Sequence, residues 1–173
     1  NDIFGKDNAG KLKFLSADML ALPMRASAGD EAFYLVSTEE AVKRYKETCA
    51  LFLNLEQTFE PAAVSGRQAE GMNLTEKVTI LGKEIHFAAQ KDFEKTALPV
   101  VARNKLENGK SVNLWYEEVV PHKSLFTFGV LAEDCDKSLL EMFRDTVAGQ
   151  VIQFGGNASI GYGLCKVSVT EGV

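Results

Sequence analysis

The sequence predicts an α+β fold built on a mostly antiparallel sheet. Many short runs of apolar and β-branched residues are separated by Gly, Pro, Asn and Asp, which is typical of strands joined by tight turns. Two longer segments repeat their apolar residues at helical spacing. The elements follow in the order strand, strand, helix, hairpins, strand, helix, strand, strand, rather than alternating as in a parallel α/β protein.

The first third of the chain predicts two strands and the clearest helix. Residues 11–27 are expected to form a strand that Pro23 ends or bends, because proline cannot donate to a sheet ladder. A second strand follows over 32–36, after a turn at 29–30. Residues 37–40, Ser-Thr-Glu-Glu, are a helix start with a hydroxyl cap and acids in the first turn. The residues expected to face a core from this helix are Val42, Tyr45, Cys49, Leu51 and Phe52.

The remaining elements are predicted from turn signals and apolar runs. Residues 54–74 are polar and rich in turn residues, which indicates a loop or mobile insertion. Residues 78–81 and 85–87 form a hairpin, and 88–97 a short helix. The later elements are a strand over 98–102, an Asn108-Gly109 hairpin turn, extended chain over 115–120, an apolar strand over 125–131, a helix over 138–147, and strands over 150–154 and 164–169.

Composition limits the class of protein. The 173 residues predict a single domain over 1–173, and the net charge of −5 argues against a protein that coats nucleic acid non-specifically. No segment is apolar for the roughly 18 residues that a membrane span needs. The sequence begins with Asn1 rather than Met and shows no secretion signal, so the chain is expected to be a piece of a longer cytoplasmic protein with no membrane partner.

The cysteines and histidines predict no metal or cofactor site. Cys49, Cys135 and Cys165 lie far apart, and none completes a zinc spacing with a histidine. They are expected to be buried or half-buried thiols in a reducing cytoplasm. His86 lies in a predicted strand and is expected to be structural, whereas His122 follows Pro121 and could contact RNA.

A glycine-rich segment over 155–163 separates the last two predicted strands. Glycine permits positive φ and lets a ligand approach the main chain, and successive N–H groups in such a turn can form an anion-binding nest. The segment matches neither the nucleotide-triphosphate nor the dinucleotide fingerprint. It is either a phosphate-binding loop or a turn that merely closes a hairpin.

The predicted hairpin around Asn108-Gly109 carries a local excess of positive charge. Between residues 95 and 113 there are four cations, Lys95, Arg103, Lys105 and Lys110, and one acid, Glu107. Such an excess on an acidic protein favours contact with a phosphate chain. The aromatic pair at 115–116 either stacks on unpaired bases or turns inward to a core.

Arg25 follows a strand–proline junction and also leaves two interpretations open. A guanidinium at a strand end can bind a phosphate with two hydrogen bonds. It can equally pair with the nearby carboxylates of Asp30 or Glu31.

Four ordered motifs together resemble one protein family. They lie at residues 3–18, 22–27, 98–121 and 153–163, and the last reads Gln-Phe-Gly-Gly-Asn-Ala-Ser-Ile-Gly-Tyr-Gly. The set resembles the RAMP superfamily of CRISPR proteins, and within it the guide-RNA-binding backbone subunits of type III-B (Cmr) effector complexes. Phe154 and Ser159 stand where that family more often has Ile or Val and Thr.

The resemblance implies a fold, partners and contact residues. Such subunits have an RRM-like (ferredoxin-like) palm and a β-hairpin thumb, here expected at 95–124, which inserts between bases. They stack on guide and target RNA as a helical filament, together with other subunits, in antiviral defence. The RNA contacts implied for this chain are Arg25, Arg103, Asn104, Lys105, Lys110, Trp115, Tyr116, His122, Lys123, Gly155, Gly156, Asn157, Ser159, Gly161 and Gly163.

The resemblance also implies a departure from the family. Relatives cleave target RNA with a divalent metal such as Mg²⁺ and an aspartate in a loop near their N-terminus, a region expected to lie upstream of residue 3 with the first palm strand and helix. No motif position passes that role to Asp2, Asp7, Asp18 or Asp30, so no catalytic residue is predicted here. The alternative is a RAMP endoribonuclease that processes CRISPR precursor RNA with His122 or His86 as general base.

Overall fold

A computed structural model describes residues 10–54, 59–133 and 136–171, and these residues form the predicted α+β fold. They divide into two compact units, which are described separately. The larger, the sheet unit, comprises Asp18–Ala50 and Glu56–Thr127, and the smaller, the terminal unit, comprises Asn1–Ala17, Leu51–Leu55 and Phe128–Val173. The single domain over 1–173 remains a prediction.

The sheet unit contains most of the strands and two helices. The helices are α1 (Glu39–Leu53), whose last turn belongs to the terminal unit, and α2 (Gln90–Phe93). The strands are β2 (Asp18–Ala28), β3 (Phe33–Ser37), β4 (Ala62–Ala63), β5 (Gln68–Ala69), β6 (Met72–Asn73), β7 (Glu76–Ile80), β8 (Lys83–Phe87), β9 (Val100–Glu107), β10 (Lys110–Glu118) and β11 (Leu125–Thr127).

The main sheet has the strand order β4-β7-β8-β3-β2-β5-β6, and β11 also pairs with β2. All its pairings are antiparallel except the parallel contact of β3 with β8, so the predicted mostly antiparallel sheet is confirmed. Two apolar clusters pack on it. One contains Met24, Tyr34 and Val36, and the other contains Val42 of α1 with Val78 and Ile85.

Of the two predicted effects of Pro23, ending or bending the strand, the first is wrong. Pro23 lies inside β2, opposite Leu35 of β3. On its other edge β2 pairs with β11 at residues 18–21 and with β5 at residues 26–28. Pro23 lies between these two stretches, so that edge requires no backbone donor at this residue.

The predicted helix start is confirmed, but the predicted apolar face is only partly right. The Thr38 side-chain oxygen accepts a hydrogen bond from the Ala41 N–H at 3.2 Å, which caps α1. Val42 and Cys49 are buried, whereas Leu51 and Phe52 are exposed by 76% and 42%.

The predicted loop over 54–74 contains three short strands within its described part. Ala69, Met72 and Leu74 are buried in the first apolar cluster. The sequence did not predict β4, β5 and β6 because each has only two residues, too few for an alternating pattern to be recognised. Residues 55–58 lie outside the described part.

The terminal unit contains short strands around one helix. Its elements are β1 (Leu12–Phe14), β12 (Val130–Ala132), α3 (Lys137–Val147), β13 (Val151–Gln153), a 3-10 turn (Ala158–Ile160) and β14 (Leu164–Lys166). β1 pairs with β12, and β13 with β14. The Asp136 carboxylate caps α3 by accepting from the Leu139 N–H at 3.2 Å. The predicted strand over 125–131 is therefore two strands in different sheets, β11 and β12, separated at Phe128 and Gly129.

Candidate nucleic-acid interface

The predicted hairpin around Asn108-Gly109 is confirmed as a two-stranded sheet of its own. Strands β9 and β10 pair only with each other within the described residues. Asn108 and Gly109 have φ angles of 51° and 77°, the left-handed conformation that a two-residue hairpin turn requires. The hairpin, residues 100–118, is exposed along nearly its whole length, and its strands start and end within the predicted thumb at 95–124.

The two faces of the hairpin differ in chemistry. Trp115 lies directly opposite Arg103, so these side chains share one face with Glu117. Tyr116 lies on the other face, since neighbouring residues of a strand point to opposite sides. That second face is mainly apolar and exposed, and it also carries Val100, Ala102, Leu106 and Leu114.

The aromatic side chains of β10 do not turn inward to a core. Trp115 is exposed by 39% and Tyr116 by 69%. The Trp115 indole donates to the Glu117 carboxylate at 2.8 Å, which fixes the ring on its face of the hairpin. Of the two interpretations of this pair, only the exposed aromatic surface agrees with the structure.

The charge excess predicted for the hairpin is largely neutralised. Arg103 binds Glu117 at 3.2 Å and Lys105 binds Glu107 at 2.7 Å. Over residues 100–118 the cations Arg103, Lys105 and Lys110 are balanced by Glu107, Glu117 and Glu118, so the net charge is zero. The count over 95–113 missed this balance because two of the acids follow residue 113. Lys110 has no ion pair within the described residues.

The glycine-rich segment forms an exposed loop between β13 and β14. Gly155, Asn157, Gly161 and Gly163 have φ angles of 77°, 61°, 82° and 73°. The Phe154 N–H donates to the Gly163 carbonyl at 2.8 Å, which closes the base of the loop. A Cβ at Gly163 would lie 1.8 Å from the Phe154 carbonyl oxygen, so this position requires glycine.

Consecutive amides of this loop are available to a ligand. The N–H groups of residues 155–159 donate no hydrogen bond within the part of the chain that the structure describes. The Gln153 side chain binds the carbonyl oxygens of Phe154 and Gly155 at 3.2 and 2.7 Å. Unpaired N–H groups and left-handed residues in one exposed turn are the features of an anion-binding nest.

Arg25 does not pair with the neighbouring acids that the sequence offered as alternatives. Asp30 instead binds Arg67 at 3.4 Å, and Arg25 has no ion pair within the described residues. Arg25 and His122 are both exposed. Arg25 is therefore available for a phosphate.

His86 is structural, as predicted, and belongs to a polar network that the sequence did not reveal. Its side chain is 3% exposed, and its Nε2 lies 2.8 Å from the Arg67 guanidinium and 3.3 Å from Glu84. Burial lowers the pKa of His86, and the positive charges of Arg67 and Lys77 act in the same direction. Lys77 also binds Glu84 and lowers the pKa of its carboxyl. A neutral His86 whose Nε2 accepts from Arg67 is not an accessible general base.

His86 is expected to make the sheet unit less stable in mild acid. In the unfolded chain it takes up a proton near pH 6.5, and in the folded chain only at lower pH. Between these two values the unfolded chain binds more protons, so the free energy of unfolding falls as the pH is lowered, by at most about 1.4 kcal/mol per pH unit. Urea unfolding at roughly pH 7.5, which lies above this window, and at roughly pH 6.5 and 5.5 measures the slope. His86→Gln should flatten it, and an equal slope in both proteins would assign the effect to other groups.

The described residues contain neither a cluster of metal-ligating side chains nor a helix that could span a membrane. They contain no cluster of three His, Cys, Asp or Glu side chains that could hold a metal. No described helix is both long and apolar enough to cross a bilayer. Cys49 is buried, but Cys165 is exposed, contrary to the prediction, because it lies in the short strand β14, whose three residues are all exposed. Cys135 and the motif at residues 3–5 lie outside the described residues.

Comparison with known proteins finds a family model and a curated relative that match this chain. The model of the RAMP superfamily matches residues 1–166. A curated protein of Pyrococcus furiosus, the CRISPR system Cmr endoribonuclease Cmr4, is 31% identical over 112 residues, which is 60% of this chain. The match spans 38% of that relative's length.

Solved structures with a similar fold include a type III-B Cmr-beta complex and an oligomeric Cmr4. A cryo-EM structure of Cmr-beta bound to cognate target RNA contains a chain that matches with a TM-score of 0.71 and 20% identity, covering 95% of this chain and 73% of that one. The crystal structure of oligomeric Cmr4 from Pyrococcus furiosus matches with a TM-score of 0.59 and 20% identity, covering 100% and 78% of the two chains. At these identities the likeness establishes the fold.

Proposed function

Because this chain belongs to the RAMP superfamily, we propose that it is a guide-RNA-binding backbone subunit of a type III-B CRISPR effector complex in antiviral defence. In this role it holds guide and target RNA while base pairing supplies the sequence recognition. It stacks with copies of itself and with other subunits of the complex. The similarity to a Cmr endoribonuclease supports the assignment to this branch.

The isolated hairpin is the observation that carries the proposal. It presents Trp115 on one face and Tyr116 on the other, and both are exposed. An element that enters a gap between two bases needs an aromatic or apolar surface on each side, since each base offers a π-face. A hairpin with zero net charge is better suited to such an insertion than to binding the phosphate backbone.

The glycine loop supplies the second proposed contact. Its unpaired amides at 155–159 can donate to phosphate oxygens without reading bases. Asn157, Ser159, Gly161 and Gly163 then form and shape the turn. Backbone contact of this kind suits a subunit that must hold a guide of any sequence.

Catalysis is not assigned to any described residue. Asp30 is bound by Arg67, and Asp18 belongs to no cluster of three metal-ligating side chains among the described residues. His122 remains the exposed candidate for the alternative, a precursor-processing endoribonuclease, whereas His86 is buried.

RNA binding and cleavage assays test the proposed function. Labelled single-stranded guide RNA, guide–target duplex and CRISPR repeat RNA are each incubated with the chain, with and without Mg²⁺. Binding of guide and duplex without cleavage of the repeat RNA is expected. Cleavage of repeat RNA that His122→Ala abolishes would favour the processing enzyme, and failure to bind guide RNA at low salt would refute an RNA-binding role.

Replacing both Arg103 and Lys105 by Met is expected to weaken binding of every RNA sequence alike. The change leaves Glu107 and Glu117 without partners and takes the hairpin from a net charge of zero to −2, so the phosphate chain is repelled and the salt dependence falls. Titrations at several salt concentrations measure both. The charge-balanced control is Arg103→Met with Glu117→Gln, which should bind more tightly than the double cation variant. An unchanged salt slope would count against phosphate contact by Arg103 and Lys105.

A further inference from the structure

On the main sheet, the exposed side chain of Phe33 has Arg25 as its neighbour on the next strand and the Lys123 ammonium over its ring. Arg25 of β2 and Phe33 of β3 are direct partners in the antiparallel register, so their side chains lie side by side. The Lys123 ammonium lies over the Phe33 ring, 4.3 Å from its centre. We call these three residues the Phe33 clamp.

The clamp lies where the apolar covering of this sheet face ends. Ala21 and Leu35 point to the same face as Arg25 and Phe33, since residues two apart along a strand share a side. Ala21 is buried and Leu35 partly buried in the cluster that contains Val42 of α1. Phe33, two residues before Leu35 in β3, is 37% exposed and has a lysine rather than a core side chain over its ring.

The backbone of Lys123 is held in a conformation that is unusual for lysine. Its φ angle is 73°, in the left-handed region that side chains with a Cβ rarely adopt. A turn maintains it, because the Ser124 N–H and hydroxyl both donate to the Pro121 carbonyl, at 3.3 and 2.7 Å. Such local strain persists where the surrounding structure fixes it, and is frequent at binding sites.

The cations of the clamp are not neutralised. Neither Arg25 nor Lys123 has an ion pair within the described residues, whereas Arg103 and Lys105 of the hairpin do. Asp30, the first acid that follows Arg25 in the sequence, is bound by Arg67. Two unpaired cations beside a shared aromatic ring, on a chain of net charge −5, form a localised positive site.

We propose that Phe33 is a positioning residue that holds the Lys123 ammonium beside Arg25, and that the two cations bind one phosphodiester group of a single RNA strand. The inference rests on the proposed function and names a contact point for it. The ring attracts the ammonium through its π-face and leaves N–H donors of Lys123 free for phosphate oxygens. Arg25 adds the planar, two-pronged donor geometry that suits phosphate.

Affinity and salt dependence for a labelled single-stranded RNA test the clamp. Lys123→Met should lower the salt slope by about 0.7, the value for one lost phosphate contact on a single strand, and weaken binding at low salt. Phe33→Leu keeps the charge and an apolar side chain but should weaken binding about threefold, since the ammonium is no longer held. Phe33→Trp should restore it. Lys83→Met, at an exposed lysine of β8, is the matched control and should bind like the unchanged chain.

A double-variant cycle separates positioning from general packing. If Phe33 acts through Lys123, Phe33→Leu should have no further effect in a chain that already carries Lys123→Met. Equal effects of Phe33→Leu in both backgrounds would overturn the positioning role. Unchanged binding by Lys123→Met, with binding still lost on replacing Trp115, would overturn the clamp and leave the proposed function standing. Failure of the unchanged chain to bind RNA would overturn both.

Discussion

Replacing Trp115 and Tyr116 together by alanine is expected to lower the affinity for guide RNA on the order of 100-fold, because stacking of a base on an aromatic side chain contributes about 1–3 kcal/mol. The two rings lie on opposite faces of the hairpin and so contact different bases. Their separate losses, about tenfold each, should therefore add. Fluorescence anisotropy with single-stranded guide RNA and with guide–target duplex measures the change.

The same experiment distinguishes stacking from charge. Neither substitution removes a charge, and Glu117 keeps its partner Arg103 when the Trp115 indole is lost, so the salt slope should stay unchanged. Trp115→Phe with Tyr116→Phe retains both rings and should keep most of the affinity. Phe52→Ala removes an exposed ring from α1 and is the matched control. A loss of less than about threefold in the alanine variant would contradict insertion of the hairpin between bases.

The hairpin could be predicted from sequence because its signal is local. Asn108-Gly109 requires only that two adjacent residues accept positive φ, and the structure has both at such angles. The helix start at Thr38 and the glycine loop are predictable for the same reason. In each case residues a few positions apart determine the conformation, and no distant contact has to be known.

The charge balance of the hairpin could not be predicted in the same way. A two-residue turn alone would place Arg103 opposite Leu114, on the face away from Trp115. One extra residue between Ser111 and Asn113 shifts the register, so Arg103 lies opposite Trp115 and reaches Glu117. A one-residue shift moves every later side chain to the other face, and nothing in the local sequence fixes where such a bulge occurs.

Contacts between distant segments account for the other differences. Phe33 and Lys123 are separated by 90 positions in the sequence and meet only through the fold. Arg67 likewise joins Asp30 and Glu84, whereas Arg25 has no ion pair within the described residues. No periodicity in the sequence encodes such pairs, which is why Phe33 and Arg67 were absent from the predicted site.

Replacing Gly163 by alanine is expected to have the largest effect of any single substitution in the glycine loop. The new Cβ would lie 1.8 Å from the Phe154 carbonyl oxygen, and the residue would also need a φ of +73°. Strain and clash together should destabilise the closed loop by about 3 kcal/mol. The Phe154 amide reports this directly, because it donates to the Gly163 carbonyl at 2.8 Å, and its protection from hydrogen exchange should fall on the order of 100-fold.

Two other glycines of the loop separate the causes. Gly156 has no positive φ and no atom within 4 Å of its ideal Cβ, so Gly156→Ala should leave the loop closed. Gly155 also has open space but a φ of +77°, so Gly155→Ala isolates backbone strain, about 1 kcal/mol. The expected order of exchange at Phe154 is therefore the unchanged chain and Gly156→Ala slowest, Gly155→Ala intermediate and Gly163→Ala fastest.

RNA affinity in the same series decides whether the loop is a binding site or only a turn. If the unpaired amides of residues 155–159 bind phosphate, affinity should fall in the order in which the loop opens, by on the order of tenfold for Gly163→Ala, since several donors lose their common direction. If Gly163→Ala makes hydrogen exchange at the Phe154 amide fast but leaves the RNA affinity unchanged, the loop only closes the hairpin and does not bind RNA. Retained protection in Gly163→Ala would contradict the close approach of Gly163 to Phe154 itself.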